Sequence, residues 1–343
     1  PYQIMTDVKT IVSGKKILFI GPVYFNYEVE IVKELEANGA SVTFLQENVD
    51  ATTLKFLIIN RCPASVQKSQ RDKYFIKKID ALSEKDYDIV FCIRIDQFSD
   101  TVLNYLKAKF TSARFILHYW DSCKRMHGAH ERARYFDAVS TFDMADFKAY
   151  KEEGWHLRPL FYLKTYEGIN KNDDKPVDII YIATLSKERA KAYVKLKEYC
   201  DANGISLYAK FYIRKFVWTL QKNYEEYKPL DESVLAFKSI PVSEIQNKMA
   251  HSKVMFDFCH SAQSGLTMRT IECVGACRKL ATINLGIVDY DFYNENNILL
   301  IKDDSFEGLK EFVNTDYQEL PEDIYRKYSL SCWLQEILTY DLC

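Results

Sequence analysis

The residues of this chain whose types and spacing could do chemistry fall in one dense cluster and at the ends of two apolar runs. The cluster is Asp257-Phe-Cys-His260-Ser-Ala-Gln-Ser264-Gly265-Leu266-Thr267-Met-Arg269-Thr-Ile-Glu272. VMFDFCH (254–260) reads as a buried strand ending at His260. A short glycine-containing loop follows, and helical periodicity begins near Leu266–Thr267. Free backbone N–H groups and the positive end of a helix dipole make such a start a site for phosphate. Arg269, in the first turn, adds a fixed charge and a donor fork suited to phosphate oxygens. Glu272, one turn further on, has the chemistry to accept hydrogen bonds from ribose hydroxyls. The same spacing also fits a plainer arrangement: a threonine N-cap, an Arg–Glu pair at i, i+3 and a core helix.

Two carboxylates close apolar runs earlier in the chain: Asp96 after IVFCIRI and Asp121 after FILHYW. A carboxylate at a strand end can take a proton from a hydroxyl if burial raises its pKa. Asp121 is the first choice, because Tyr119 and Trp120 beside it suggest a wall on which a sugar ring could stack. Its plainer role is the N-cap of a following helix. Gly21-Pro22 ends the first apolar run and would let the backbone approach a ligand, but the full G-x-G-x-x-G pattern is missing. Among the six histidines only His260 stands in a chemical context, and His118 reads as a core residue. Cys273 and Cys277 are four apart with no second Cys/His pair nearby, so no metal site is expected.

Elements that would position these groups alternate along the chain. KKILFIG (15–21), SVTFLQE (41–47), YDIVFCIRID (87–96) and ARFILHYWD (113–121) read as strands with helical stretches between them. In NYEVEIVKELEANG (26–39), Val29, Val32 and Leu35 mark a helical face and Gly39 closes it. Residues 155–176 break the alternation, which restarts with VDIIYIAT (177–184) and the helix KERAKAYVKLKEYCDANG (187–204). Continuously apolar strands alternating with helices predict doubly wound parallel α/β sheets. A length of 343 residues suits two domains of about 150–170 residues each. The expected division is 1–160, a linker at 161–176, a second domain at 177–320, and a C-terminal helix within 321–343 that packs back onto the first domain. A cleft between the domains would be the ligand site.

Composition narrows the function. Lys+Arg 46 against Asp+Glu 48 gives a net charge of −2, with no global pull toward nucleic acid. Nine cysteines in scattered positions fit a reducing compartment. No run reaches the roughly 18 apolar residues of a membrane span, and no signal-peptide core is present, so a cytoplasmic placement is expected. The run KFYIRKF (210–216) interleaves cations with aromatics. It suits a half-buried strand edge, or contact with a membrane-borne lipid acceptor at the inner face of the membrane.

The run SGLTMRTIECVGACRKLATIN resembles the donor-binding region of GT-B glycosyltransferases, most closely the bacterial lipopolysaccharide- and capsule-biosynthesis kind called CgeB-like. KKILFIGPVYFNYEVEIVKELEANG, FILHYWDS and IYRKYSLSCWLQEIL resemble the same enzymes in the same order. The resemblance implies two Rossmann-like domains, an acceptor-side N-terminal one and a nucleotide-sugar-binding C-terminal one. It implies a sugar moved from a nucleotide-sugar donor to a glycan or lipid-linked glycan acceptor, with no cofactor and no obligatory metal. It places a basic side chain near the nucleotide diphosphate, matched here by Arg189 and Lys187; with the residues read above, His260, Arg269 and the 264–268 segment complete the expected diphosphate site, with Glu272 on the ribose. Ser264 stands where retaining members carry the first of two glutamates eight positions apart, which leaves the donor sugar and the stereochemical course open. A nucleotide-sugar epimerase or hydrolase shares this architecture, and so would a binding module that has lost the chemistry.

Overall fold

The computed structural model describes residues 7–49, 59, 61–169, 174–258 and 265–342. Tertiary contacts divide the chain into two units, Pro1–Pro159 with Leu330–Cys343, and Leu160–Ser329. Each is a parallel α/β sheet of the expected class. No helix among the described residues is long and apolar enough to cross a membrane.

In unit 1, β1 (Lys16–Gly21), β2 (Ser41–Gln46), β3 (Ile89–Ile93), β4 (Arg114–Tyr119), β5 (Ala138–Thr141) and β6 (His156–Leu157) pair in the order β2-β1-β3-β4-β5-β6, all parallel. β1 and β3 are apolar almost throughout and buried almost throughout, as strands covered on both faces must be. Phe19 lies in register with Phe44 and Phe91, and its ring stacks on Phe91 at 5.4 Å. The helix Tyr27–Ala37 corrects the expected face. It buries Tyr27, Glu28, Ile31 and Leu35 and leaves Val29 exposed. Tyr27, Ile31 and Leu35 recur at i, i+4, i+8, a stripe that turns Val29 outward.

The expected single helix across 321–338 is two. Glu322–Lys327 belongs to unit 2 and Leu330–Thr339 to unit 1, with a break at Tyr328–Ser329. The break has a cause: Tyr328 is buried, and its carbonyl accepts the N–H of Tyr162 (2.8 Å) instead of continuing a helical ladder. Helix Leu330–Thr339 then drives Trp333 into unit 1, fully buried, 5.0 Å from the His118 ring and 6.1 Å from Phe91. His118 is bonded to Ser140 Oγ (2.9 Å), and burial pushes its pKa down to about 3, so it stays a neutral core residue.

Unit 2 contains β7 (Val177–Thr184), β8 (Leu207–Tyr212), β9 (Leu235–Ala236), β10 (Ser252–Asp257), β11 (Lys279–Thr282) and β12 (Ile298–Leu300), in the parallel order β12-β11-β10-β7-β8-β9. The order reverses between β7 and β10, a switch point of the kind where open sheets bind ligands at their carboxyl ends. The stretch 161–176 is not simply a linker, because Phe161, Tyr162 and Tyr166 are fully buried in this unit. Tyr162 leans on the helix Met268–Gly275, where only a glycine leaves room. A Cβ on Gly275 would stand 2.7 Å from Tyr162 Cβ.

Two substitutions test these packings by chemical denaturation. Trp333→Ala empties a closed site and is expected to destabilise unit 1 by about 3–5 kcal/mol. Gly275→Ala overpacks the Tyr162 contact and is expected to destabilise unit 2 by about 1–3 kcal/mol.

Candidate functional site

In unit 2 the carboxyl ends of β7 and β10 are tied together by one side chain. Arg189, in the first turn of the helix Lys187–Asn203, donates from Nη1 to Thr184 O (2.9 Å) and from Nε to Phe258 O (3.3 Å). Nη2 takes part in neither bond. Ser186 caps this helix by accepting from Arg189 N, so the N-cap fixes the turn that carries the guanidinium. Lys187, on the same turn, points elsewhere. It sits 4.0 Å over the Tyr224 ring and 3.5 Å from Glu226.

The helix Met268–Gly275 is held to the end of β10 by Asp257. Its Oδ2 accepts from Thr267 Oγ1 (2.7 Å) and from Thr270 Oγ1 (2.9 Å), while Thr267 Oγ1 accepts the Thr270 N–H as N-cap (3.2 Å). Asp257 was part of the sequence cluster without a role, and this pin is what sets the helix start against the strand. Gly265 and Leu266 are buried on the approach, and Asn284 Nδ2 donates to Gly265 O (3.4 Å). Arg269 and Glu272 are ion-paired, with Arg269 part-exposed and Glu272 buried. Burial raises the Tyr166 hydroxyl far above its ordinary value, and the neighbouring Glu272 raises it further. Glu272 therefore anchors Arg269 from inside the unit. His260 and Ser264 lie outside the described residues.

In unit 1 the carboxyl ends of β2, β3 and β4 bring Glu47, Arg94, Asp96 and Asp121 together. Arg94 is the hub: Nη2 to Asp96 Oδ2 3.1 Å, Nε to Asp121 Oδ2 3.5 Å, and Nε to Glu47 Oε1 3.8 Å. Asp121 also meets Arg125 (3.3 Å). Burial raises the Asp121 carboxyl above its ordinary pKa, against the pull of Arg94 and Arg125. Glu47 is fully buried, and its pKa is pushed up to about 8, first by burial and then by Asp96. Two of the four residues were missed in the sequence. Glu47 closes SVTFLQE at a strand end just as Asp96 and Asp121 close theirs. Arg94 is a lone cation inside an apolar run.

Two expectations in unit 1 are corrected. Tyr119 is not a stacking wall: it is fully buried, and its hydroxyl donates to Ala129 O (2.7 Å). It belongs to β4's inner face, one residue out of phase with the half-buried Trp120. Trp120 is joined at 6.2 Å by Tyr24, which is exposed in the loop after β1. Gly21 does not open its backbone toward a ligand. Its carbonyl accepts Glu47 N–H (2.9 Å), and the Phe19 ring lies 3.2 Å from where its Cβ would be.

No protein-family model matches this chain, and no curated protein sequence matches it. Solved structures do. A glycosyltransferase from Rickettsia africae ESF-5 is similar at 14% identity, over 95% of this chain and 99% of that one, with a TM-score of 0.57. A UDP-GlcNAc 2-epimerase from Methanocaldococcus jannaschii, solved in complex with UDP-GlcNAc and UDP, is similar at 11% identity over 94% and 98%, with a TM-score of 0.55. The apo form of the lipopolysaccharide outer core galactosyltransferase WaaB is similar at 15% identity over 93% and 97%, with a TM-score of 0.50. At these identities the likeness is one of fold: the chain carries two Rossmann-like α/β units, the architecture these glycosyltransferases and epimerases share.

Proposed function

We propose that this chain is a glycosyltransferase, binding a nucleotide-sugar donor in unit 2 and using unit 1 for a hydroxyl-bearing acceptor. The observation that carries the reading is the carboxyl end of β7 and β10. There a capped, Asp257-pinned helix start, Arg189 and the Glu272-anchored Arg269 gather donors for a diphosphate at the switch point of the sheet. Those donors would stabilise the charge that develops on the departing nucleotide. The Rickettsia enzyme and WaaB support transfer as the reaction, and the ligands of the Methanocaldococcus structure support a uridine diphosphate sugar as the donor class. In the transfer, the acceptor oxygen bonds to the anomeric carbon as the carbon–oxygen bond to the diphosphate breaks. The acceptor's proton passes to Asp96 or Asp121. Tyr24 and Trp120 offer the acceptor an aromatic face. The acceptor we favour is a bacterial surface glycan or its lipid-linked precursor, on the resemblance of the sequence to such enzymes.

A second reading, nucleotide-sugar epimerisation, is favoured by the Methanocaldococcus likeness. Turnover of the donor with no acceptor present would select it.

The first test is a thermal-shift panel of UDP, GDP, CMP and their sugar conjugates. A ligand at a few hundred times its Kd should stabilise the protein by about 3 kcal/mol through mass action. The shift is expected for one nucleotide and lost in Arg189→Ala. Arg269 is best removed together with its partner, as Arg269→Met with Glu272→Gln, because the buried carboxylate left alone would itself destabilise the fold. No shift with any nucleotide would sink the donor-site reading.

A further inference from the structure

The polar groups at the carboxyl edge of unit 1 do not balance one another as they stand. Neither carboxylate oxygen of the fully buried Glu47 has a well-formed hydrogen bond, although the Gln97 backbone N–H faces the group, and the buried Oδ1 of Asp96 lacks a partner. The backbone that aims Arg94 at these groups is strained. Arg94 has φ 73 and the next residue, Ile95, has φ 56, a left-handed pair ending in a β-branched side chain. Such strain persists only where the surroundings over-determine it, and it concentrates at functional sites. Two ionised carboxylates are acceptors only and cannot bond to each other. One proton between them would turn two orphans into a hydrogen bond.

We propose that Glu47 and Asp96 form a single proton-sharing carboxyl pair. Asp96 is the member that meets the acceptor hydroxyl, and Glu47 is the positioning member behind it. The assignment of an alcohol as ligand rests on the reading of unit 1 given above, whereas the pair itself does not. Asp96 is part-exposed and reaches the edge of the unit, while Glu47 is wholly inside. The charged and titratable groups around Glu47 are Asp96 and Arg94 on its open side, Cys92 from β3, and Asp121 with Arg125 beyond Arg94. Burial and the Asp96 charge disfavour the Glu47 anion by more than Arg94 and the Gln97 backbone N–H favour it, so the shared proton resides on Glu47 at neutral pH. Protonated Glu47 donates to one oxygen of Asp96 and turns the other toward the acceptor. During transfer the acceptor O–H bond breaks, its proton goes to the second Asp96 oxygen, Oδ2, which Arg94 Nη2 also meets at 3.1 Å, and its electron pair forms the bond to the anomeric carbon. The diphosphate leaves with the electrons of the bond it loses. Asp96 then returns its proton to solvent, and Glu47 keeps its own throughout.

The pair is tested without any sugar, by carbon-13 NMR titration of the whole chain labelled at Glu Cδ and Asp Cγ. One glutamate resonance is expected to titrate near pH 8, to vanish in Glu47→Gln, and to fall by about one pH unit or more in Asp96→Asn, which removes the second charge. A Glu47 midpoint in the ordinary carboxylate range would overturn the proposal. So would a high midpoint that Asp96→Asn leaves in place, since burial alone would then explain it. Should Glu47→Gln fail to fold, the Asp96→Asn arm still decides, because that side chain is part-exposed. Stability gives a second readout. Glu47 binds its proton more tightly folded than unfolded, so wild-type stability is expected to fall as pH rises from about 4.5 to about 8, a slope that Glu47→Gln flattens. A nucleotide panel without shifts would remove the donor reading and leave the pair standing, and the NMR result would remove the pair and leave the donor site standing.

Discussion

Parallel strand pairing is the constraint on which the rest of this structure depends. A parallel pair requires every connection to return the chain to the amino-terminal edge, so the loops that leave the strands collect at the carboxyl-terminal edge of each sheet. In unit 1 that edge receives the residues just after β2, β3 and β4, and in unit 2 those after β7 and β10. Groups far apart in sequence meet there without any specific attraction between them. Glu47 and Asp121 are brought to the same guanidinium by the registers of β1 with β2 and of β3 with β4, across a sheet held by apolar burial.

The two edges then solve different electrostatic problems. In unit 2 the carboxylates named have found partners. Asp257 takes two threonine hydroxyls, Glu272 takes Arg269, and the Arg189 guanidinium takes two carbonyls while keeping one nitrogen out of those bonds. Such an edge presents guanidinium and backbone donors, which suits an anion. Unit 1 gathers three carboxylates around Arg94 and leaves buried oxygens without partners. That edge suits a ligand or a proton that supplies donors. The contrast is what the proposed glycosyl transfer asks for, a donor that brings negative charge and an acceptor that brings hydroxyls.

Neither edge would hold its geometry without packing some distance from it. Helix Met268–Gly275 can lie against Tyr162 because position 275 has no side chain, and that contact draws 160–166 into unit 2. Helix Leu330–Thr339 completes unit 1 from the far end of the chain, with Trp333 against His118 of β4 and Arg158 ion-paired to Glu336. The strand that leads to Asp121 thus relies on residues that follow it by more than two hundred positions.

By itself the sequence determined the fold class, most of the strands and the helix start in the 257–272 cluster. Those features are written in local patterns: continuous apolar runs, helical periodicity, a threonine ahead of a helix. Asp96 and Asp121 were legible as strand-end carboxylates for the same reason. Tertiary structure alone decided which of those groups touch, because contact between strand ends depends on strand order and register, which no local pattern encodes. It made Asp257 a pin, Glu272 an anchor, Tyr119 a core residue and Arg94 a hub. It also set the burial of Glu47, whose proton affinity is a property of its surroundings and not of the glutamate side chain.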